Sequence, residues 1–147
     1  MPEQETLERA NEDKREGKST STQAGEFVRE EIHHVREGKH GARSPQQAIA
    51  IGLSKARRAG VKLKPPKGSA SLRKKAAQDR RAGAKRASGR ETSAKRSRAV
   101  NGALRRESRN AASHEALSRQ AKKSAAKRGE QSRRKAAAKA ARTRKAA

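Results

Sequence analysis

The chain has 147 residues, with 40 Lys and Arg against 15 Asp and Glu, a formal net charge of +25. An excess of that size calls for a polyanionic partner, and nucleic acid fits better than membrane, because an interfacial helix needs large apolar residues opposite its cations. There is no Cys, Trp or Tyr and Phe27 is the only Phe, which excludes disulfides, thiolate metal sites and thiol chemistry.

Charge is unevenly spread. Residues 1–40 carry seven Lys/Arg and ten Asp/Glu, residues 41–70 seven and none, and residues 71–147 twenty-six and five. Only 30% of residues are hydrophobic and much of that share is Ala, so a core spanning the whole chain is not expected. The expected class is mostly α with extensive disorder: a short helical hairpin followed by a low-complexity basic tail of transient helices. Three segments follow from the charge pattern: an acidic, disordered N-terminus over 1–21, a helical hairpin over 22–66 and a basic tail over 67–147. The N-terminus has no apolar stretch that would serve as a signal peptide, and the aliphatic run at 48–51 is too short to span a bilayer, so a cytoplasmic, soluble protein is expected.

The first helix is predicted from Gln23 to Glu37, where Ala24, Phe27, Val28, Ile32 and Val35 recur at helical intervals. Thr20 with Gln23 would form its capping box, and Gly38 stands where a left-handed residue would end it. The second helix has sharper punctuation. Ser44 offers an N-cap hydroxyl, Pro45 suits the first helical position and Gln47 closes the box; the helix should run to about Ala59, ahead of Gly60, with Pro65-Pro66 blocking any continuation. A hairpin with so few large apolar residues is marginal alone, and would gain stability from a second copy or a partner bound through residues 22–66.

Past Ser69 the large aliphatics are Leu72, Val100, Leu104 and Leu117. Ala, Lys, Arg and Gln favour helix here, but no face is apolar enough to dock; transient helices broken near Gly83, Gly89, Gly102 and Gly129 are predicted.

The strongest functional signal is the cation density. Lys62, Lys64, Arg73, Lys74, Lys75, Arg80, Arg81, Lys85, Arg86, Lys95, Arg96, Lys122, Lys123, Lys127, Arg128, Arg133, Arg134 and Lys135 are candidate phosphate contacts, together with Lys55, Arg57 and Arg58 at the end of the second helix. With no stacking aromatics to grip single strands, duplex backbone is favoured and DNA is preferred to RNA. Lys55, Arg57, Arg58 and Lys62 also permit a helix-turn-helix reading. The seven-residue linker is long for that motif, and offsetting the helix dipole while touching phosphate is the simpler role. His33, His34 and His40 cluster in sequence, but adjacent helical histidines diverge and lack the spacing of a known metal site, so no metal or cofactor is expected. Ser113, His114 and Glu115 are mere neighbours, and Gly52-Leu53-Ser54 lacks the setting of a nucleophile elbow, so no catalytic residue is assigned.

The stretch 22–66, marked by KHGARS, QAIAIGLSKARRAG and the double proline, resembles the core of a family of small basic bacterial proteins of unknown function. Some members of that family carry DNA-binding or plasmid-stabilisation labels. The Ala/Lys/Arg-rich terminus is similar to the tails of linker histones and histone-like bacterial proteins. The resemblance implies no catalytic residues. The expected function is therefore non-enzymatic, sequence-independent DNA binding in a nucleoid-associated or plasmid-maintenance setting. The alternatives are an adaptor whose 45–59 helix binds a protein partner, or an RNA- or ribosome-associated protein.

Overall fold

A computed structural model describes residues 2–84 and 93–144 in full, and the backbone of residues 85, 86, 145 and 146. Among the described residues there are seven α-helices and one short 3-10 turn. They are α1 (Gln4–Arg15), α2 (Thr20–Glu37), α3 (Pro45–Arg58), α4 (Ala70–Arg86), α5 (Ala94–Arg105), the 3-10 turn Asn110–Ala112, α6 (His114–Lys127) and α7 (Glu130–Ala146). Two compact units result, Met1–Ser113 and His114–Ala147. The boundaries expected at 21/22 and 66/67 fall inside the first.

The α2–α3 hairpin is the centre of that unit. Helix α2 begins three residues before Gln23, because Ser19 rather than Thr20 is the N-cap: its Oγ accepts the Thr22 amide at 3.2 Å. Gln23 is buried and donates to the Lys18 carbonyl at 2.9 Å instead of closing a capping box. At the other end Gly38 takes φ +78°, the left-handed stop that lets its amide reach back to the last turn. Helix α3 begins at Pro45 as its punctuation predicts, with Ser44 Oγ accepting from the Gln47 amide at 3.2 Å, but Gln47 does not close the box: its Oε1 accepts from the Arg43 amide at 2.7 Å. The Val61 amide folds back to the Ala56 carbonyl at 3.0 Å, past Gly60 at φ +96°. The two helices cross at Gly52, where a Cβ would sit 2.7 Å from Val28 Cα; a larger residue would hold the backbones apart.

The expectation of extensive disorder is overturned, because the flanks of the hairpin are helical and pack on it. Helix α1, in the segment expected to be disordered, turns Thr6, Ala10 and Asp13 inward at successive turns. Ala10 joins Ala24, Phe27 and Ala56 in one core cluster, with Leu7, Leu53, Ala59, Val61 and Leu63 packed around it. Helix α4 lies against α3, with Ala76 and Asp79 buried and Gly83 so close that a Cβ would sit 2.5 Å from the Arg57 carbonyl oxygen. Gly83 is thus not a helix break; it is the residue that admits α4 to α3. Gly102 also lies inside a helix, whereas Gly129 does separate α6 from α7. Gly89 falls outside the described residues.

A second cluster joins Val35, Ala42 and Ala48 to Ala111 and Ala112, with Ile32 alongside. Backbone bonds fix this return of the chain: the Gly41 amide donates to the Leu104 carbonyl at 2.8 Å and the Ala42 amide to the Ser108 carbonyl at 2.9 Å. Arg36 Nε donates to the Ala112 carbonyl at 2.9 Å. The physical reason the flanks dock despite having few large apolar residues is close approach. Ala against Ala brings backbones near enough for directed hydrogen bonds and ion pairs to contribute. The missing apolar cover for the hairpin comes from the chain itself.

The second unit contains α6 and α7. Every side chain of α7 described, from Glu130 to Arg144, is exposed, and on α6 only one side, including Leu117, Gln120 and Ser124, is half-buried.

Candidate functional site

Candidate phosphate contacts separate into three groups according to what each cation meets. Lys55 is the clearest departure from the surface role expected of it. It stands on the α2-facing side of α3, and its Nζ donates to Glu30 Oε1 at 2.8 Å and lies 2.8 Å from Glu31 Oε2. Both carboxylate side chains are buried. Burial disfavours the Lys55 charge, but the Glu30 hydrogen bond and the Glu31 ion pair outweigh it and hold its pKa above the ordinary lysine value. Burial likewise opposes ionisation of Glu30, yet the Lys55 ammonium and the Glu3 amide, 3.1 Å from Oε2, hold its pKa below the usual carboxylate range. Lys55 is therefore an internal counterion and is removed from the phosphate-binding set.

Arg57 and Arg58 form the second group. Arg57 is half-buried, with Nη1 3.5 Å from the Leu53 carbonyl oxygen, and α4 crosses directly over its backbone at Gly83. Arg58 donates through Nε to Asp79 Oδ1 at 2.9 Å, while Ser54 donates to Oδ2 at 2.7 Å and Lys75 Nζ lies 3.4 Å away. The end of α3 is thus occupied by α4, which argues against using it as a recognition helix.

The third group is open to solvent. Lys62, Lys64, Arg73, Lys74, Arg80 and Arg81 of the first unit are exposed, as are Lys95 and Arg96 on α5. Lys85 and Arg86 lie on α4, but their side chains fall outside those described. Lys122, Lys123, Lys127, Arg128, Arg133, Arg134 and Lys135 of the second unit are all exposed. On α7 the spacing of Lys135, Lys139 and Arg142 puts one basic stripe along a face, and Arg119, Lys123 and Lys127 do the same on α6. Residues 114–147 hold twelve Lys/Arg and two Asp/Glu, net +10. Among the described residues, Glu130–Arg134 at 2.6 Å is the ion pair of this segment.

The acidic residues are spent mostly inside the first unit. Glu3 receives Lys39 Nζ and lies beside His34 Nε2, each at 2.9 Å, which pulls its pKa down to about 2. Lys18, through Glu16 first and then Asp13, is held above the usual lysine range. The structure also brings together Glu31, His34 and His40, whose potential ligand atoms lie within 4.8 Å of one another. His33, their neighbour in sequence, points to solvent. Sequence reasoning missed this grouping because it searched among the histidines alone. The available signal was Glu31 three residues before His34, on the same helix face.

Among the described residues the fold is helical and strongly basic, with most acidic groups held in ion pairs of the first unit and many Lys and Arg side chains exposed. Residues 12–68, from the end of α1 through the whole hairpin, match the profile of a family of unknown function, DUF6496. No curated protein and no solved structure matches the chain. Among the described residues no helix is long and apolar enough to cross a membrane.

Proposed function

We propose that this protein binds nucleic acid without catalysis and with little regard for base sequence, using the exposed cations of α6, α7 and the outer face of the first unit to neutralise phosphates. The observation that carries this reading is the segment 114–147, with net charge +10, every Lys and Arg described there exposed, and one described ion pair, Glu130–Arg134. Cations on successive helical turns suit a regular phosphate lattice. Duplex DNA is the preferred target because Phe27, the one residue among Phe, Tyr and Trp, is buried in the core and is not available for stacking. The resemblance to small basic bacterial proteins, some with DNA-binding or plasmid-stabilisation labels, supports a cytoplasmic, nucleoid-associated or plasmid-maintenance setting. The adaptor reading loses support. The face of α3 that bears Ala48, Gly52 and Ala56 is already filled by the chain's own elements.

The test is a salt titration of binding to random duplex DNA between ~50 and ~200 mM, the range in which phosphate contacts lose most affinity. With on the order of ten phosphates engaged, the log-log slope should be about −9. A chain ending at Ser113 should lose about four of those units if contacts follow the share of net charge. Cutting at Ser69 would not be a clean test, since Asp79, Ala111 and Ala112 belong to the folded core. Unchanged slope and affinity after removal of residues 114–147 would refute the role of α6 and α7. A preference above about a hundredfold for one duplex sequence would refute non-specific binding, and a similar preference for RNA would refute the choice of DNA.

A further inference from the structure

We propose that Glu31, His34 and His40 form a binding site for a divalent first-row transition ion, with Zn2+ as the reference ligand. Two of the three come from one helix and the third from the loop that follows it. Glu31 and His34 share a face of α2, and His40 is in the α2–α3 loop, its ring meeting that of His34 edge-on at 6.0 Å between centroids. One oxygen and two imidazoles make a donor set suited to zinc and its neighbours in the row, three protein ligands leaving a further position for water.

The hydrogen-bonding at His40 points to a cation. Its Nδ1 lies 3.0 Å from the Gly41 carbonyl oxygen, which only accepts, so Nδ1 carries the hydrogen. The other nitrogen, Nε2, then faces Glu31 Oε1 at 3.0 Å. A neutral ring in that tautomer would aim a lone pair at a carboxylate oxygen, an arrangement that is satisfied only by a second proton or by a metal ion between the two. Glu31 is the other half of that contact. Its side chain is 1% exposed, and Oε1, with His40 Nε2 at 3.0 Å, receives no directed hydrogen bond. Lys55 sits at Oε2, leaving Oε1 to His40, while His34 Nε2 lies 2.9 Å from Glu3 Oε1.

Charge favours a divalent ion. Glu3, Glu30, Glu31 and Glu37 face Lys39 and Lys55, four carboxylates against two ammoniums, a local net charge of −2 with neutral imidazoles in a molecule of net charge +25. The site is also pre-positioned. At Gly41 a Cβ would sit 1.8 Å from the Glu107 carbonyl oxygen, and the Gly41 and Ala42 amides are bonded to Leu104 and Ser108, so the loop carrying His40 is held by backbone. Donor atoms up to 4.8 Å apart need to close by up to roughly 1.4 Å to reach the tetrahedral spacing set by zinc bonds of ~2.0–2.2 Å, a movement within reach of side-chain torsions. A bound ion would tie α2 to the loop that holds residues 104–112.

The full-length protein, stripped with a chelator and dialysed, should be titrated with Zn2+ against a chromophoric chelator, and with Co2+ for its visible absorption. One ion per chain is expected. His34→Gln and His40→Gln, both at partly exposed positions, should each weaken binding at least about tenfold, while His33→Gln and His114→Gln should leave it unchanged. Zn2+ should also slow hydrogen exchange at the Gly41 and Ala42 amides in the wild type and not in His40→Gln. Failure of the wild type to retain Zn2+, or wild-type affinity in His34→Gln and His40→Gln with helical content intact, would overturn the proposal and leave a protonated His40–Glu31 ion pair.

Discussion

Replacing Lys55 by Met should destabilise the fold by about 3–5 kcal/mol, the cost of breaking a buried ion pair by removing one partner. The ammonium is 2.8 Å from an oxygen of each of two buried carboxylates, and its own side chain is 20% exposed. At an effective dielectric near 20 each contact has a gross attraction of about 6 kcal/mol, most of it offset by desolvation. Deletion removes the attraction and leaves two adjacent carboxylates in the core. Glu30 retains the Glu3 amide and Glu31 retains His40, so the lower half of the range is expected. Urea unfolding followed by circular dichroism measures the loss. Adding Glu30→Gln and Glu31→Gln to Lys55→Met should recover much of it, because the uncompensated charge has gone. If Lys55 instead met phosphate at the surface, Lys55→Met would change stability by less than about 0.5 kcal/mol and lower the salt slope by about 0.9. That pair of results would refute the internal-counterion assignment.

Three other expectations follow from the packing. Gly52→Ala places a Cβ 2.7 Å from Val28 Cα, so α2 and α3 must separate at a cost of about 1–3 kcal/mol, read as a lower urea midpoint. Ala112→Asp puts a carboxylate at a fully buried position next to Val35 and Ala48; residues 104–112 should detach, and hydrogen exchange at the Gly41 and Ala42 amides should rise to near that of an open loop. Glu30 has a depressed pKa in the folded state, so its contribution to stability is present above about pH 4.5 and is lost as pH falls through the lower folded value. Lys55, with a raised pKa, loses its contribution only as pH rises through its folded value, above about 10.5. Thermal unfolding from pH 7 down to pH 2 should therefore show a falling Tm that is shallower in Glu30→Gln.

Short-range chemistry made much of the hairpin legible. Ser44-Pro45, Gly38 and Gly60 act on the backbone within one turn, so their roles at the ends of α2 and α3 could be read from the letters alone. Cation density was equally legible, because it needs no geometry, and it led to the proposed phosphate binding. The fate of individual charges was not. Lys55 is as basic in sequence as Lys62, yet Lys55 is held by Glu30 and Glu31 while Lys62 is exposed. The difference lies in which face of α3 meets α2.

Hydrophobic content underestimated the ordered region for a related reason. It registers Leu and Phe, whereas α1, α4 and the 104–112 return dock through Ala10, Ala76, Ala111 and Ala112, through Gly83, and through polar contacts such as Asp79–Arg58. Alanine and glycine contribute little transfer energy and leave no strong amphipathic stripe. Their contribution is to let backbones approach, and that depends on what lies opposite. The meeting of Glu31, His34 and His40 has the same character. The i, i+3 spacing places two of them together, but only the fold of residues 38–42 against 104–108 delivers the third.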